Sequence, residues 1–267
     1  MSATQMEGVS AAGAANDLRL VLPGRHVPAG DGWTWIASGW RLFTRAPLMW
    51  IVAILLVFVA AIVVGLVPFI GTLAFQVLNP AITAGFVVAC YSLERGGEFE
   101  LEHLFAGFKT NFGSLVVVGL LLLAGYVVIF LVFAMIAGFS ILTAVLAGHA
   151  QDMATMVMSS AVTILLGTLV ALALMVPLLA AYWFAPALVV MHGLSPVAAM
   201  KASFRACMRN FVPFLVYGLV MMVFAILAVI PFGLGMLVWI PLAIASTYAA
   251  YRQIFTDDAM PTQPAVA

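Results

Sequence analysis

The sequence predicts an all-α membrane protein: six transmembrane helices arranged as three repeats of an interfacial amphipathic helix followed by a transmembrane hairpin. Three observations predict it. Only 7% of the 267 residues are charged and 66% are hydrophobic, whereas soluble domains carry about 25% charge. Apolar runs of about 20 residues recur, the length that crosses a bilayer as a helix, and no alternating β-barrel pattern is present. A basic amphipathic segment precedes each pair of runs, most clearly in Ser195–Arg252.

Residues 1–31 are rich in Ala, Gly, Ser and Pro and lack the apolar core of a signal peptide. They read as a disordered N-terminal tail, with Leu18–Pro23 as a strand-like piece docking on the body. Asp31 is the expected N-cap of the first surface helix. On it Trp33, Ile36, Trp40 and Phe43 share one face, flanked by Arg41 and Arg45, an interfacial pattern. Pro47 leads into a span over Leu48–Val67, Pro68–Gly71 turns, and a second span over Thr72–Leu93 contains Asn79-Pro80.

Glu94–Thr110 is a polar loop in which Leu101, Leu104 and Phe108 space a second surface helix. The third span is expected over Phe112–Ile136, then a long loop over Phe139–Ser160 holding His149 and Asp152, whose apolar half Ile141–Leu146 either lies against the membrane or projects into water, and a fourth, kinked span over Ala161–Met191 with Pro177 and Pro186. Ser195-Pro196 starts the third surface helix, with Ser at N-cap and Pro at N1. Val197, Met200, Phe204, Cys207 and Phe211 form its apolar stripe; Lys201, Arg205 and Arg209 form a cationic one beside it. A span over Phe211–Ile230, a turn at Pro231–Gly235 and a sixth span ending at Tyr251-Arg252 follow, then a disordered tail over 257–267.

The membrane domain thus covers 32–256, in repeats of about 32–96, 97–193 and 194–256. Trp40-Arg41, Phe108-Lys109 and Phe204-Arg205 each set a cation after an aromatic residue; Val67-Pro68-Phe69 matches Ile230-Pro231-Phe232; and Pro80, Pro177 and Pro241 recur in the second helix of each copy. With six spans all ten Lys and Arg residues lie on one side. The positive-inside rule makes that side cytoplasmic and places both termini there.

Chemistry is sparse. No Asp, Glu, Lys or Arg lies within an expected span, and no metalloprotease, phosphate-loop, hydrolase or paired-carboxylate arrangement is present. No enzyme, cofactor or nucleic-acid partner is expected. Glu98, Glu100 and Glu102 beside His103 read as an acidic helix start rather than a metal site, and Cys90 and Cys207 as packing residues. Gln76 and Asn79 sit three apart at membrane depth, where they either form a polar pocket at a broken helix or join helices by hydrogen bonds. Arg41, Arg45, Lys109, Lys201, Arg205 and Arg209 are candidate lipid-headgroup contacts, the alternative being that they only set topology and snorkel.

Ala37-Ser38-Gly39-Trp40-Arg41, Ala202-Ser203-Phe204-Arg205 and the Tyr-x-x-Tyr-Arg ending at Tyr248–Arg252 resemble those of uncharacterised six-helix bacterial inner-membrane proteins. A similar module forms the membrane domain of some membrane-bound glycerophosphodiester phosphodiesterases; the catalytic domain and its metal ligands have no counterpart here. The resemblance implies a multi-pass inner-membrane protein. Two functions fit: a non-enzymatic module binding lipid headgroups, a membrane partner or a second copy of itself, and a permease or exporter of a small amphiphile.

Overall fold

A computed structural model describes residues 18–146 and 153–257. Residues 1–17 and 258–267 of the two tails, with His149 and Asp152, lie outside the described residues. The described chain is helical: α1 Asp31–Arg45, α2 Pro47–Gly65, α3 Ile70–Glu94, a 3-10 turn Leu101–Phe105 running into the short α4 Ala106–Lys109, α5 Phe112–Leu146, α6 Met153–Tyr182, α7 Ala185–His192, α8 Pro196–Arg209, α9 Phe211–Val229 and α10 Met236–Phe255.

Five stretches are long and apolar enough to cross a membrane: Pro47–Gly65, Ile70–Glu94, Phe112–Phe139, Ala161–His192 and Phe211–Val229. The expected sixth, α10, is long enough at 20 residues but carries Ser246, Thr247, Tyr248, Tyr251, Arg252 and Gln253 in its second half. Those side chains are used in packing, and they dilute its hydropathy. Half of the apolar window of α3 is buried, against 11–28% in the other four. That makes α3 a central helix, while α2, α5, α6 and α9 turn long rows of Leu, Val, Ile and Phe outward. In water such surface would be prohibitive; in hydrocarbon it is the surface required.

Several expectations change. The loop expected at Phe139–Ser160 is mostly helix, since α5 continues to Leu146 and α6 begins at Met153. At 35 residues α5 is about 52 Å long, well beyond the ~30 Å hydrocarbon core. The fourth span is broken as well as kinked. Between α6 and α7 the Ser203 hydroxyl, fully buried on α8, donates to the Ala180 carbonyl (2.6 Å) and accepts from the Phe184 N–H (3.0 Å), so the freed backbone groups are satisfied from a neighbouring helix.

The basic segments do not simply float on a surface. On α1 the buried face is Gly32, Trp35, Ile36, Gly39, Leu42 and Phe43, whereas Trp33 and Trp40 stand 55% and 48% exposed. The tryptophans therefore flank the packed face. Gly30 is the N-cap, and the Asp31 carboxylate instead accepts from Gln253 on α10 at 2.7 Å. On α8 the small Ala199, Ala202, Ser203 and Ala206 face inward, and of the expected stripe only Cys207 is buried, with Val197, Phe204 and Phe211 outward. Small residues win the inner face because they let backbones approach closely.

Each basic segment packs on the second helix of another hairpin. α1 crosses α10, where a Cβ on Gly39 would lie 2.4 Å from Ser246 Oγ. The 101–109 segment crosses α3, with Gly85 against Leu104 and Gly107 against Ala81. α8 closes the α6–α7 break. The two short hairpins share one turn: Phe69 (φ 60°) and Phe232 (φ 54°) both adopt a conformation unusual for phenylalanine. Gly71 lies against Val64, and Gly235 lies against Ala228.

The N-terminal segment is part of the body from Leu18 onward, so residues 18–31 do not belong to a free tail. Leu20 bridges Thr256 antiparallel, and the Val21 and Arg25 amides donate to Phe255 and Ile254. Buried Asn210 clamps the same segment, accepting from the Val27 amide and donating to the Arg25 carbonyl, both at 2.9 Å.

Candidate functional site

Three helix ends converge on one buried ion pair. Glu94 closes α3, His192 closes α7, and Tyr248, Tyr251 and Arg252 lie on the last turns of α10. Arg252 forks onto both Glu94 carboxylate oxygens, Nε at 2.9 and 3.1 Å and Nη2 at 2.9 Å, and its Nη1 donates to Thr256 Oγ1 at 2.7 Å. The Tyr248 hydroxyl donates to the same carboxylate, and the Tyr251 hydroxyl bonds His192 Nε2 at 2.7 Å. The two charged side chains are only 4% and 5% exposed. A bidentate pair with its remaining donors satisfied is the arrangement that a buried charge requires. Chemically it is a latch: the carboxylate is saturated by donors, and the pair carries no net charge.

A cavity of about 560 Å³ adjoins the latch and is lined by α3, the α6–α7 break, α9 and α10, with Tyr248 and Tyr251 shared between cavity and latch. A wider groove of about 900 Å³ lies between α1, α9 and α10. Its α1 wall carries Trp33, Thr34, Ser38, Trp40 and Arg41; the opposite walls, from Phe224 to Ala228 and from Gly235 to Leu242, are apolar. Trp239 belongs to both spaces, its indole N–H held by the Met221 carbonyl at 2.9 Å.

The six candidate cations are distributed rather than gathered in one site. Arg41 donates to Ser38 Oγ at 2.9 Å and lines the groove. Arg45 donates to the Leu93 carbonyl, next to the latch. Lys109 pairs with exposed Glu102, and Arg209 donates to the Gly24 carbonyl at 3.1 Å. Lys201 and Arg205 border a shallow outward pocket with Val197, Met200 and Phe204.

Asn79 accepts from the Tyr182 hydroxyl at 2.6 Å, and Thr83 lies within 3.5 Å of the same Asn79 oxygen. That is an interhelical bond between α3 and α6, the second of the two sequence readings for Asn79; Gln76 is partly buried three residues earlier on α3. Glu100 caps the 3-10 turn: its side chain accepts from the His103 amide while its own N–H donates to His103 Nδ1 at 3.2 Å. Burial holds the His103 imidazole below its ordinary range, against the opposing pull of Glu100 and Glu102. Among the described residues no group of three His, Cys, Asp or Glu side chains is placed to hold a metal. Cys90 and Cys207 are buried thiols.

Sequence reasoning missed the latch. Glu94 and Arg252 are 158 residues apart and each reads alone as a flanking charge; the available signal was the Tyr-x-x-Tyr-Arg ending. It also missed Ser203, Asn210 and Gln253, polar residues that only a neighbouring helix makes meaningful.

Residues 41–258 match the family described as "Protein of unknown function (DUF975)". The chain belongs to this family. The match runs from Arg41 to just past the latch and so includes every hairpin. A relative described as a probable inner membrane protein of Burkholderia thailandensis is 32% identical over 254 residues, covering 86% of this chain and 93% of its own length. No solved structure matches. With its apolar helices, the chain is an inner-membrane protein of a family without an assigned function.

Proposed function

We propose that this protein is a non-enzymatic membrane module that binds anionic phospholipid, with the α1–α9–α10 groove as its principal site. One observation carries the reading: a single groove joins Arg41, Ser38 and Thr34 on one wall to an apolar cleft reaching Ala228 and Gly235 beside the far turn. A phosphate suits the polar wall, an acyl chain suits the cleft, and exposed Trp33 and Trp40 suit the headgroup boundary. Arg45, Lys109, Lys201, Arg205 and Arg209 supply further positive charge at the same end, each cation near an anionic leaflet contributing about 1 kcal/mol. Arg→Lys keeps the charge that orients a membrane protein but loses the bidentate fork. Arg41→Lys with Arg205→Lys is therefore expected to leave insertion intact and to reduce co-purifying anionic phospholipid, and Arg→Gln at both positions to reduce it further, by about fivefold per cation. Lipid retention unchanged in both double variants, measured by mass spectrometry of the purified protein, refutes the headgroup site.

We read the architecture as six spans in three repeats, with α10 as the sixth. Its support is cyclic packing: α1 of the first copy lies on α10 of the third, the 101–109 segment of the second on α3 of the first, and α8 of the third on α6–α7 of the second. The shared Phe69 and Phe232 turns, and prolines inside α3, α6 and α10, support it further. With both termini cytoplasmic, reporter fusions at residue 267 and at Gly96 report cytoplasm; an external report from the C-terminal fusion overturns the orientation. The resemblance to the phosphodiesterase membrane domain fits a module of this kind, which would need no catalytic residue. A second reading, a permease for a small amphiphile, draws on the 560 Å³ cavity beside the latch.

A further inference from the structure

Residues 95–100 connect α3 to the 3-10 turn and carry Arg95, Glu98 and Glu100. Their backbone is fixed at several points. The Gly97 amide donates to the Ser92 carbonyl and the Ser92 hydroxyl to the Glu98 carbonyl, both at 2.9 Å. Buried Phe99 stacks on Trp50 with ring centroids 5.0 Å apart, and exposed Glu98 and Glu100 flank it. This connection forms one wall of a cleft of about 1030 Å³; the α1–α2 junction, with Arg45, Ala46 and Met49, forms another. Met49 lies in the first turn of the span Pro47–Gly65, and Glu94 ends the span Ile70–Glu94, so the cleft sits at the membrane boundary.

Both signs of charge line this cleft. Arg45 is steadied by the Leu93 carbonyl, and the Arg95 guanidinium lies over the Tyr91 ring at 5.4 Å from its centroid; both residues are exposed. Glu94 also reaches the lining, but Arg252 neutralises it. Arg45 and Arg95 therefore stand against Glu98 and Glu100, and the cleft carries no net charge. Its charge complement is a zwitterion. We infer that the cleft binds the headgroup of phosphatidylethanolamine. Arg45 and Arg95 take the phosphate, Glu98 takes the ammonium, and Met49 and Leu101 meet the start of the acyl chains. A primary ammonium offers three N–H donors to a carboxylate, and the quaternary nitrogen of phosphatidylcholine offers none. The inference does not rest on the groove reading. The groove presents Arg41 and, among the described residues, no carboxylate, so it favours an anionic lipid.

The test offers the purified full chain an equimolar mixture of dioleoyl phosphatidylethanolamine, phosphatidylcholine and phosphatidylglycerol, and counts the retained lipids by mass spectrometry. Phosphatidylethanolamine is expected to exceed phosphatidylcholine about fivefold, the upper end for one exposed ion pair. Glu98→Gln changes an exposed side chain and should bring the two to equal retention; a single monodisperse peak shows that the variant is folded. Arg95→Gln should lower phosphatidylethanolamine retention by about the same factor. Arg41→Gln, in the groove, should leave the ratio of phosphatidylethanolamine to phosphatidylcholine unchanged whatever it does to phosphatidylglycerol, so failure of the groove reading and failure of this one are read separately. Soluble glycerophosphoethanolamine, the same headgroup without acyl chains, should not displace the lipid. The proposal is overturned if the wild-type protein retains phosphatidylethanolamine and phosphatidylcholine equally, if Glu98→Gln keeps the wild-type ratio, if Arg95→Gln retains phosphatidylethanolamine as the wild type does, if Arg41→Gln abolishes the preference, or if glycerophosphoethanolamine displaces the lipid.

Discussion

Replacing Arg252 with Met, or Glu94 with Met, is expected to destabilise the protein by about 3–5 kcal/mol, the usual effect of stripping one partner from a buried ion pair. The pair is nearly inaccessible, at 4% and 5% exposure, so water cannot solvate the survivor. Among the described residues, Arg252→Met leaves the Glu94 carboxylate with the Tyr248 hydroxyl as its side-chain donor, and Glu94→Met leaves the guanidinium with Thr256 as its side-chain acceptor. The double variant Glu94→Met with Arg252→Met should recover much of the loss, because two apolar side chains of similar volume need no charge compensation. Thermal unfolding of the detergent-purified protein, followed by loss of the monodisperse peak, measures all three. If the double variant falls by the sum of the singles, the latch is not a coupled pair. The loss should also free the end of α3 from α10, since these bonds tie the two helices at that point.

Gly39→Val should dislodge α1 from the bundle. A Cβ there would stand 2.4 Å from Ser246 Oγ and 2.6 Å from the Ser246 backbone nitrogen, and a backbone atom cannot rotate aside. Overpacking of this kind typically costs about 1–3 kcal/mol, and here it acts on a helix held at one end by the Asp31 and Trp35 bonds to Gln253. The expected result is a lower melting temperature and increased proteolysis near Gly30. Gly138→Ala is the control: among the described residues nothing lies within 4 Å of a Cβ at Gly138, and replacing such a helical glycine should be neutral or slightly stabilising. Equal melting temperatures for Gly39→Val and Gly138→Ala would mean that the α1–α10 contact is not close.

Much of the fold was legible because a lipid-facing helix announces itself through composition alone. Leu55, Phe58, Ile62 and Val63 on α2 need no partner to be apolar, so the span around them could be read from residue type and length. The prolines and Pro-Phe turns were legible because they constrain the backbone locally. What failed were inferences that chose a face. Trp33 and Trp40 were grouped with Ile36 and Phe43, yet the packed face of α1 is the one bearing Gly32 and Gly39. Close approach selects for small size there, and hydrophobicity gives that no weight. The 139–160 segment was read as a loop, yet its described parts continue α5 and α6.

By itself the sequence determined that this chain is helical, lies in a membrane and carries its positive charge in the segments between apolar runs, because partition between water and hydrocarbon depends on residue type and run length. Only the tertiary structure decided that Glu94 meets Arg252, that Ser203 closes the break between α6 and α7, and that Trp183 is left as a buried donor beside an aromatic cavity. Each of those facts depends on which helices touch. A polar residue's partner across a bundle is set by the packing of backbones, which no local pattern in the chain encodes.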